Sequence, residues 1–131
     1  MIDCKNEVYE NITEVLKKKF SDIKLSSEYV NIPSGFPYVS IGQSDNSIIP
    51  EQTTNTLEMA QIMFEVNIYS NKPHKRKTEC EEIAQYIDKE FFSMNFRRLS
   101  ITPVPNMEDA TVYRIVARYR AATDGKNFYR R

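Results

Sequence analysis

Few residues of this chain have side chains that bind metals or act as nucleophiles. The single histidine, His74, follows Pro73 in a basic stretch, and the two cysteines, Cys4 and Cys80, lie in segments with the apolar periodicity of helices. A zinc site or a histidine relay needs several such groups brought together. We therefore predict an exposed His74 in a loop, two buried and reduced thiols, and no bound metal.

The carboxylates and glycines are not arranged as in a catalytic or nucleotide-binding site. Glu79, Glu81 and Glu82 fall in the first turn of a predicted helix, where negative charge complements the helix dipole. None of the three glycines belongs to a phosphate-binding loop. We therefore predict a protein that is not an enzyme and has no cofactor. A small enzyme is the alternative from another class, and it needs a pocket that gathers the scattered carboxylates.

A short basic run lies in the predicted turn before the second helix. It contains Lys75, Arg76 and Lys77 within residues 72–77. Such a run could contact DNA or an acidic protein partner, although it is more often a solvated surface.

Three arginines alternate onto one face of the last predicted strand. They are Arg114, Arg118 and Arg120. Arginines in line on a strand need partners, either Glu65 across the sheet or acidic groups of a neighbouring subunit. Both alternatives are open from the sequence.

The C-terminal tail, residues 124–131, has the composition of a protein interface. Its first three residues predict a turn away from the last strand, after which Phe128, Tyr129 and Arg130 follow. Aromatic residues and arginine are enriched at protein interfaces. The alternative is a tail that folds back on its own sheet.

The composition indicates one globular domain without a dominant charge. The 131 residues are 40% hydrophobic and 27% charged, enough for a single hydrophobic core. Lys plus Arg equal Asp plus Glu at 18 each, which argues against nucleic acid as the main partner. The sequence lacks both the ~20-residue apolar run of a membrane span and a signal peptide, so we expect a cytoplasmic protein with no membrane partner.

Apolar periodicity predicts two amphipathic helices. The first covers residues 5–20, with Asp3 as its N-cap, and the second begins after the break at residues 70–73. The stripe of the first helix contains Val8, Ile12, Val15, Leu16 and Phe20, and that of the second contains Cys80, Ile83, Ala84, Ile87 and Phe91.

Alternating or β-favouring segments predict five strands. They cover residues 23–32, 37–42, 57–69, 97–102 and 110–122. The third predicted strand is long enough for part of it to project beyond the core. Residues 43–56 predict a long exposed loop that presents Asp45 and Asn46. This order predicts a single α+β domain over residues 1–131, with one mainly antiparallel sheet and two amphipathic helices packed on one of its faces.

Several segments together resemble the tail terminator, or tail-completion, proteins of tailed bacteriophages. The resemblance rests on the N-terminal residues 1–9 (MIDCKNEVY), on residues 36–41 (FPYVSI) before a polar loop, and on residues 64–72 (FEVNIYSNK). It also includes residues 103–106 (PVPN), 109–114 (DATVYR) and 117–120 (ARYR). These segments are structural signatures, and none of them is an active-site motif.

The resemblance implies a subunit of a ring, commonly a hexamer, that caps the tail tube and presents a surface for head joining. It implies a location in the virion after assembly in the host cytoplasm, with the tail-tube and head-tail connector proteins as partners. Residues predicted to lie at subunit interfaces are Asp45, Asn46, Glu65, Arg114, Arg118, Arg120, Phe128, Tyr129 and Arg130. Three alternatives stay open: a head-tail connector component, a subunit of the tail tube itself, and a subunit of a headless, prophage-derived tail particle.

Overall fold

The computed structural model describes residues 1–30, 33–106 and 109–131. In these residues two helices alternate with the strands of one sheet, so the predicted α+β class is confirmed. The elements are α1 (Lys5–Lys19), β1 (Lys24–Ser26), β2 (Tyr38–Ile48), a short 3-10 helix (Pro50–Gln52), β3 (Ala60–Ser70), α2 (Arg76–Ser93), β4 (Arg97–Pro103), β5 (Tyr113–Thr123) and β6 (Phe128–Arg130).

The sheet is mainly antiparallel, as predicted. Its strand order is β1-β2-β3-β5-β4, and β6 pairs with β5 beyond the end of β4. Only the pairing of β1 with β2 is parallel. The three central strands, β2, β3 and β5, are each 11 residues long and pair over nearly their whole length.

Both helices cover the same face of the sheet. Val8, Ile12 and Leu16 of α1 are buried, and so is the predicted stripe of α2. They form one hydrophobic cluster with the inward residues of β3, which are Ala60, Ile62, Phe64, Val66 and Ile68. Residues two apart on a strand and three or four apart on a helix share a face, which is why periodicity located these elements.

The start of α1 differs from the prediction. Asp3 is not its N-cap, because Cys4 occupies that position and caps no backbone group with its side chain. The Asp3 carboxylate instead accepts a hydrogen bond of 3.3 Å from the backbone N–H of Lys5. The helix ends at Lys19, with Phe20 as its C-cap.

Four strand predictions are wrong in extent. The strand predicted at 110–122 is β5, which begins at Tyr113. The strand predicted at 23–32 is reduced to the short β1, and the predicted end at Ile32 lies outside the described residues. β3 begins at Ala60, so residues 57–59 do not extend it beyond the core. β2 continues to Ile48 past a bulge at Ser44, so residues 43–48 of the predicted loop are strand. Polar residues are compatible with strand there because this edge of the sheet faces solvent.

The two cysteines are free and buried, as predicted. Burial raises the pKa of the Cys80 thiol from 9.0 to about 12 and that of the Cys4 thiol to about 11. The thiolate is the reactive form, so both thiols are unreactive in the folded chain.

We therefore expect iodoacetamide at about pH 8 to alkylate the native protein at least about 100-fold more slowly than the protein unfolded in guanidinium chloride. Mass spectrometry after timed quenching measures both rates. The protons are bound more tightly in the folded state, so stability should also fall as the pH rises above about 9. Rapid alkylation of the native chain would contradict the buried placement.

Candidate functional site

The face of the sheet opposite the helices carries the three predicted arginines. Arg114, Arg118 and Arg120 lie on β5 opposite Tyr69, Glu65 and Met63 of β3. All these residues point away from the core because they alternate with the inward residues of their strands. The predicted row of arginines is therefore present, but its members have different partners.

Arg114 is bound within the chain. Its Nε and Nη2 groups donate hydrogen bonds of 3.0 Å and 2.6 Å to Oδ1 of Asn67, which is buried. Its guanidinium also lies 5.6 Å from the ring centres of Tyr29 and Tyr69. The Tyr69 hydroxyl donates to the carbonyl of Val30, and burial raises the pKa of Tyr69 to about 12. Arg114 thus fastens residues 29–30 to the sheet.

Arg118 and Arg120 are placed differently. The Nε of Arg118 lies 3.4 Å from Oε2 of Glu65, the cross-sheet pairing that was one of the two alternatives. Both side chains are partly exposed, at 46% and 33%, so this ion pair contributes under about 1 kcal/mol and leaves donors facing outward. Arg120 donates through Nη2 to the carbonyl of Arg131, at 2.9 Å.

The C-terminal tail does not turn away from the sheet, so that prediction is wrong and the alternative is correct. Gly125 adopts φ +96°, and the Asp124 carboxylate accepts hydrogen bonds from the N–H groups of Lys126 and Asn127, which lowers the pKa of Asp124. This tight turn returns the chain so that β6 pairs antiparallel with β5.

The tail side chains divide into packed and exposed ones. The Phe128 ring lies 5.0 Å from the Phe96 ring, and the Arg130 guanidinium lies 4.1 Å from the centre of the Phe92 ring. Tyr129 remains 46% exposed on the outer face. Phe128 and Arg130 therefore have partners in their own chain. The Tyr129 hydroxyl donates a hydrogen bond of 3.3 Å to Asp124, but nearly half of the Tyr129 side chain is accessible to another molecule.

Asp45 and Asn46, predicted on a loop, lie on the second half of β2. Asn46 donates a hydrogen bond of 2.8 Å to the carbonyl of Ile2, and Asp45 accepts one of 3.2 Å from Gln61. β1 covers the outer edge of β2 only from Tyr38 to Ser40. Residues 41–48 therefore form an edge of the sheet that no described strand covers. The sequence did not predict this edge, because most of these residues were predicted to form a loop.

A groove of about 670 Å³ lies along part of this free edge. The N-terminal half of α1 contributes Lys5 and Tyr9 to one wall, and the segment after β1 contributes Ser27 and Glu28 to the other. Lys5, Glu28 and Glu65 all line the groove, but no hydrogen bond joins any two of them. The groove thus contains ionisable groups without a linked nucleophile and base.

The basic turn is exposed at the start of α2. His74, Lys75, Arg76 and Lys77 are all exposed, which confirms the prediction for His74. Lys77 lies 4.0 Å from Glu81, whereas Lys75 and Arg76 form no ion pair with any residue that the structure describes. These two cations remain available to an acidic partner.

The residues that the structure describes contain neither a metal-ligand cluster nor a membrane-spanning helix. Outside the four omitted positions, no three histidine, cysteine or acidic side chains are grouped as metal ligands. Neither helix has the length and apolar content needed to cross a membrane.

This chain resembles a known protein in its structure but not in its sequence. No protein-family model matches the sequence, and no curated protein sequence matches it. Among solved structures, a chain of "Virion of native gene transfer agent (GTA) particle" superposes with a TM-score of 0.70 at 16% sequence identity. The match covers 92% of this chain and 94% of the other. At this identity, the likeness shows a shared fold.

Proposed function

We propose that this chain is a structural protein of a phage-like particle, and more specifically a tail terminator. Its subunits form a ring, hexameric in the form we favour, that caps the tail tube and offers a surface for head joining. The observation that carries the proposal is the fold shared over 92% of the chain with a chain of a virion. The sequence resemblance to tail terminators supports the narrower role.

The surface of the domain is compatible with assembly into a ring. The free edge of β2 and the outer edge of β4 lie on opposite sides of the same sheet. Two different surfaces on opposite sides of a subunit allow head-to-tail contacts, which generate a ring when the rotation between neighbouring subunits closes. Asp45, Arg118 and Tyr129 are among the predicted interface residues that retain accessible groups, and we place these three at the subunit contacts.

The role at the tail tube can be tested with purified proteins. The tail-tube protein of the same particle is polymerised with and without this chain, and tube lengths are measured by negative-stain electron microscopy. The proposal predicts shorter tubes with added density at one end. Unchanged lengths and uncapped ends over a range of concentrations would contradict the terminator role.

Deletion of residues 127–131 is expected to abolish the ring-sized species. The deletion removes β6, the contact of Phe128 with Phe96, and the bonds of Arg131 to Gln61 and Glu51. We expect a loss of stability of about 1–3 kcal/mol, measured by urea denaturation.

The variant Tyr129→Ser separates these two effects. Tyr129 is 46% exposed and its hydrogen bond to Asp124 lies at the surface, so removing its ring should change stability little. We expect this variant to weaken association while its unfolding midpoint stays near that of the wild type. Normal association of the folded deletion variant would exclude the tail from the interface.

A head-tail connector component is the second candidate. The observation that favours it is the exposed basic turn, in which Lys75 and Arg76 lack ion pairs within the described ranges. A triple variant with Lys75→Glu, Arg76→Glu and Lys77→Glu should then lose attachment to the connector while tube capping persists. Normal attachment of this variant would exclude the turn as the contact.

A further inference from the structure

The sheet has two edges of similar length that could pair with each other between subunits. Residues 41–48 of β2 have β3 on one side, and none of the strands that the structure describes lies on the other. The seven-residue β4 likewise has β5 on one side only. Unpaired edge strands expose backbone donors and acceptors that readily bind another strand.

The direction of the strands allows this pairing in a ring. β2 is antiparallel to β3, β3 to β5, and β5 to β4, so β4 runs antiparallel to β2 in the same subunit. Subunits related by rotation about an axis along the strands keep this relation. The β4 edge of one copy therefore meets the β2 edge of the next copy as an antiparallel pair, with perpendicular hydrogen bonds.

The charges on the two edges are complementary. Arg97 pairs in register with Arg120, Arg120 with Met63, and Met63 with Asp45. Arg97 and Asp45 therefore occupy one row across the sheet, and both point away from the helices. Neither forms an ion pair with any of the residues described. Opposite charges directly across an antiparallel pair are stabilising.

The surroundings of the β2 edge leave space for a strand. The groove beside it is lined by Tyr9 of α1, by Ser27 and Glu28 after β1, and by residues 40–44 of β2. A strand that enters this groove contacts these side chains, and the exclusion of water strengthens its new hydrogen bonds.

We propose that the first five residues of β4 in one subunit (97–101) add to residues 41–45 of β2 in the next subunit, with Arg97 paired to Asp45, so that the ring contains one continuous sheet. The partner is thus a second copy of this chain. This inference rests on the proposed ring, because it specifies how neighbouring subunits meet. Arg97 was absent from the sequence-based interface residues, which included Asp45.

A charge exchange tests the pairing. The variants Asp45→Arg and Arg97→Asp are made singly and together, and their masses are measured by light scattering, alone and with the tail-tube protein. Each single variant is expected to weaken ring formation about tenfold or more because like charges then face each other. The double variant should restore the ring. Asp45→Asn tests charge loss alone, and Lys17→Glu, at an exposed position on α1, is the matched reversal control.

The outcomes separate this inference from the proposed function. Rings of normal stability in both single variants would overturn the strand pairing and leave the terminator proposal intact. Failure of the double variant to regain the ring, with its fold checked by circular dichroism, would also overturn the strand pairing and leave the terminator proposal intact. The bulges at Ser44 and Leu99 would then serve to block strand addition. A wild-type chain that forms no ring in either condition would overturn both proposals.

Discussion

Replacing Phe91 by alanine is expected to lower the free energy of unfolding by about 3–5 kcal/mol. Phe91 is fully buried at the centre of an aromatic cluster beneath the sheet. Its ring stacks on Tyr119 with centres 4.1 Å apart and an interplanar angle of 9°, and it meets Phe96 edge-on at 5.1 Å. Truncation removes these contacts and leaves a cavity that the surrounding strands cannot fill without moving.

The adjacent residue provides a matched control. Phe92 has the same side chain on the same helix but is 65% exposed, with Arg130 over its ring. Phe92→Ala should therefore cost less than about 1 kcal/mol. Urea denaturation followed by circular dichroism measures both variants. Similar losses for the two substitutions would contradict the placement of α2 on the sheet.

Arg114→Ala is expected to cost about 2–3 kcal/mol, more than any other single change in the arginine row. The substitution removes both hydrogen bonds to Oδ1 of Asn67 and leaves that buried oxygen without its charged donor. It also removes the cation from between the rings of Tyr29 and Tyr69, which hold the segment after β1 on the sheet.

Arg118→Ala should cost under about 1 kcal/mol, because its ion pair with Glu65 is partly exposed. Under the proposed ring, Arg118→Glu should weaken assembly while the monomer stays folded. Thermal unfolding and solution mass, measured on the same samples, distinguish a role in monomer stability from a role in ring assembly. If Arg118→Ala destabilised the monomer more than Arg114→Ala, the assignment of Arg114 to monomer stability and of Arg118 to assembly would be wrong.

The sequence predicted those parts of the fold in which one face is apolar and the other is not. The stripes of α1 and α2 and the alternation in β3 and β5 are buried as their spacing indicated. The apolar face of each of these elements packs on the core. Side-chain periodicity therefore reports directly on their contacts.

The edges of the sheet were not predictable in the same way. Residues 43–47 of β2 are polar on both sides, and the bulge at Ser44 interrupts their alternation. Their strand conformation depends on pairing with β3, which is distant in sequence. The return of β6 similarly depends on Phe128 meeting Phe96, a contact that local propensity does not reveal.

The candidate interface was predictable in composition but not in partners. The alternation of residues in the last strand predicted the row of arginines. The hydrogen bonds from Arg114 to Asn67 could not be predicted, because they depend on the register between β3 and β5. The proposed pairing of Arg97 with Asp45 could be inferred only from the complete strand order, because the two residues lie on opposite edges of the sheet.

The solution mass of the purified chain tests the central proposal most directly. Light scattering coupled to size exclusion is run on the protein alone and mixed with its tail-tube protein. The ring predicts a closed species, near roughly 90 kDa for six chains of 15.4 kDa. A species of 15.4 kDa in both conditions, at concentrations of tens of micromolar, would contradict the assignment of this protein as a ring-forming subunit.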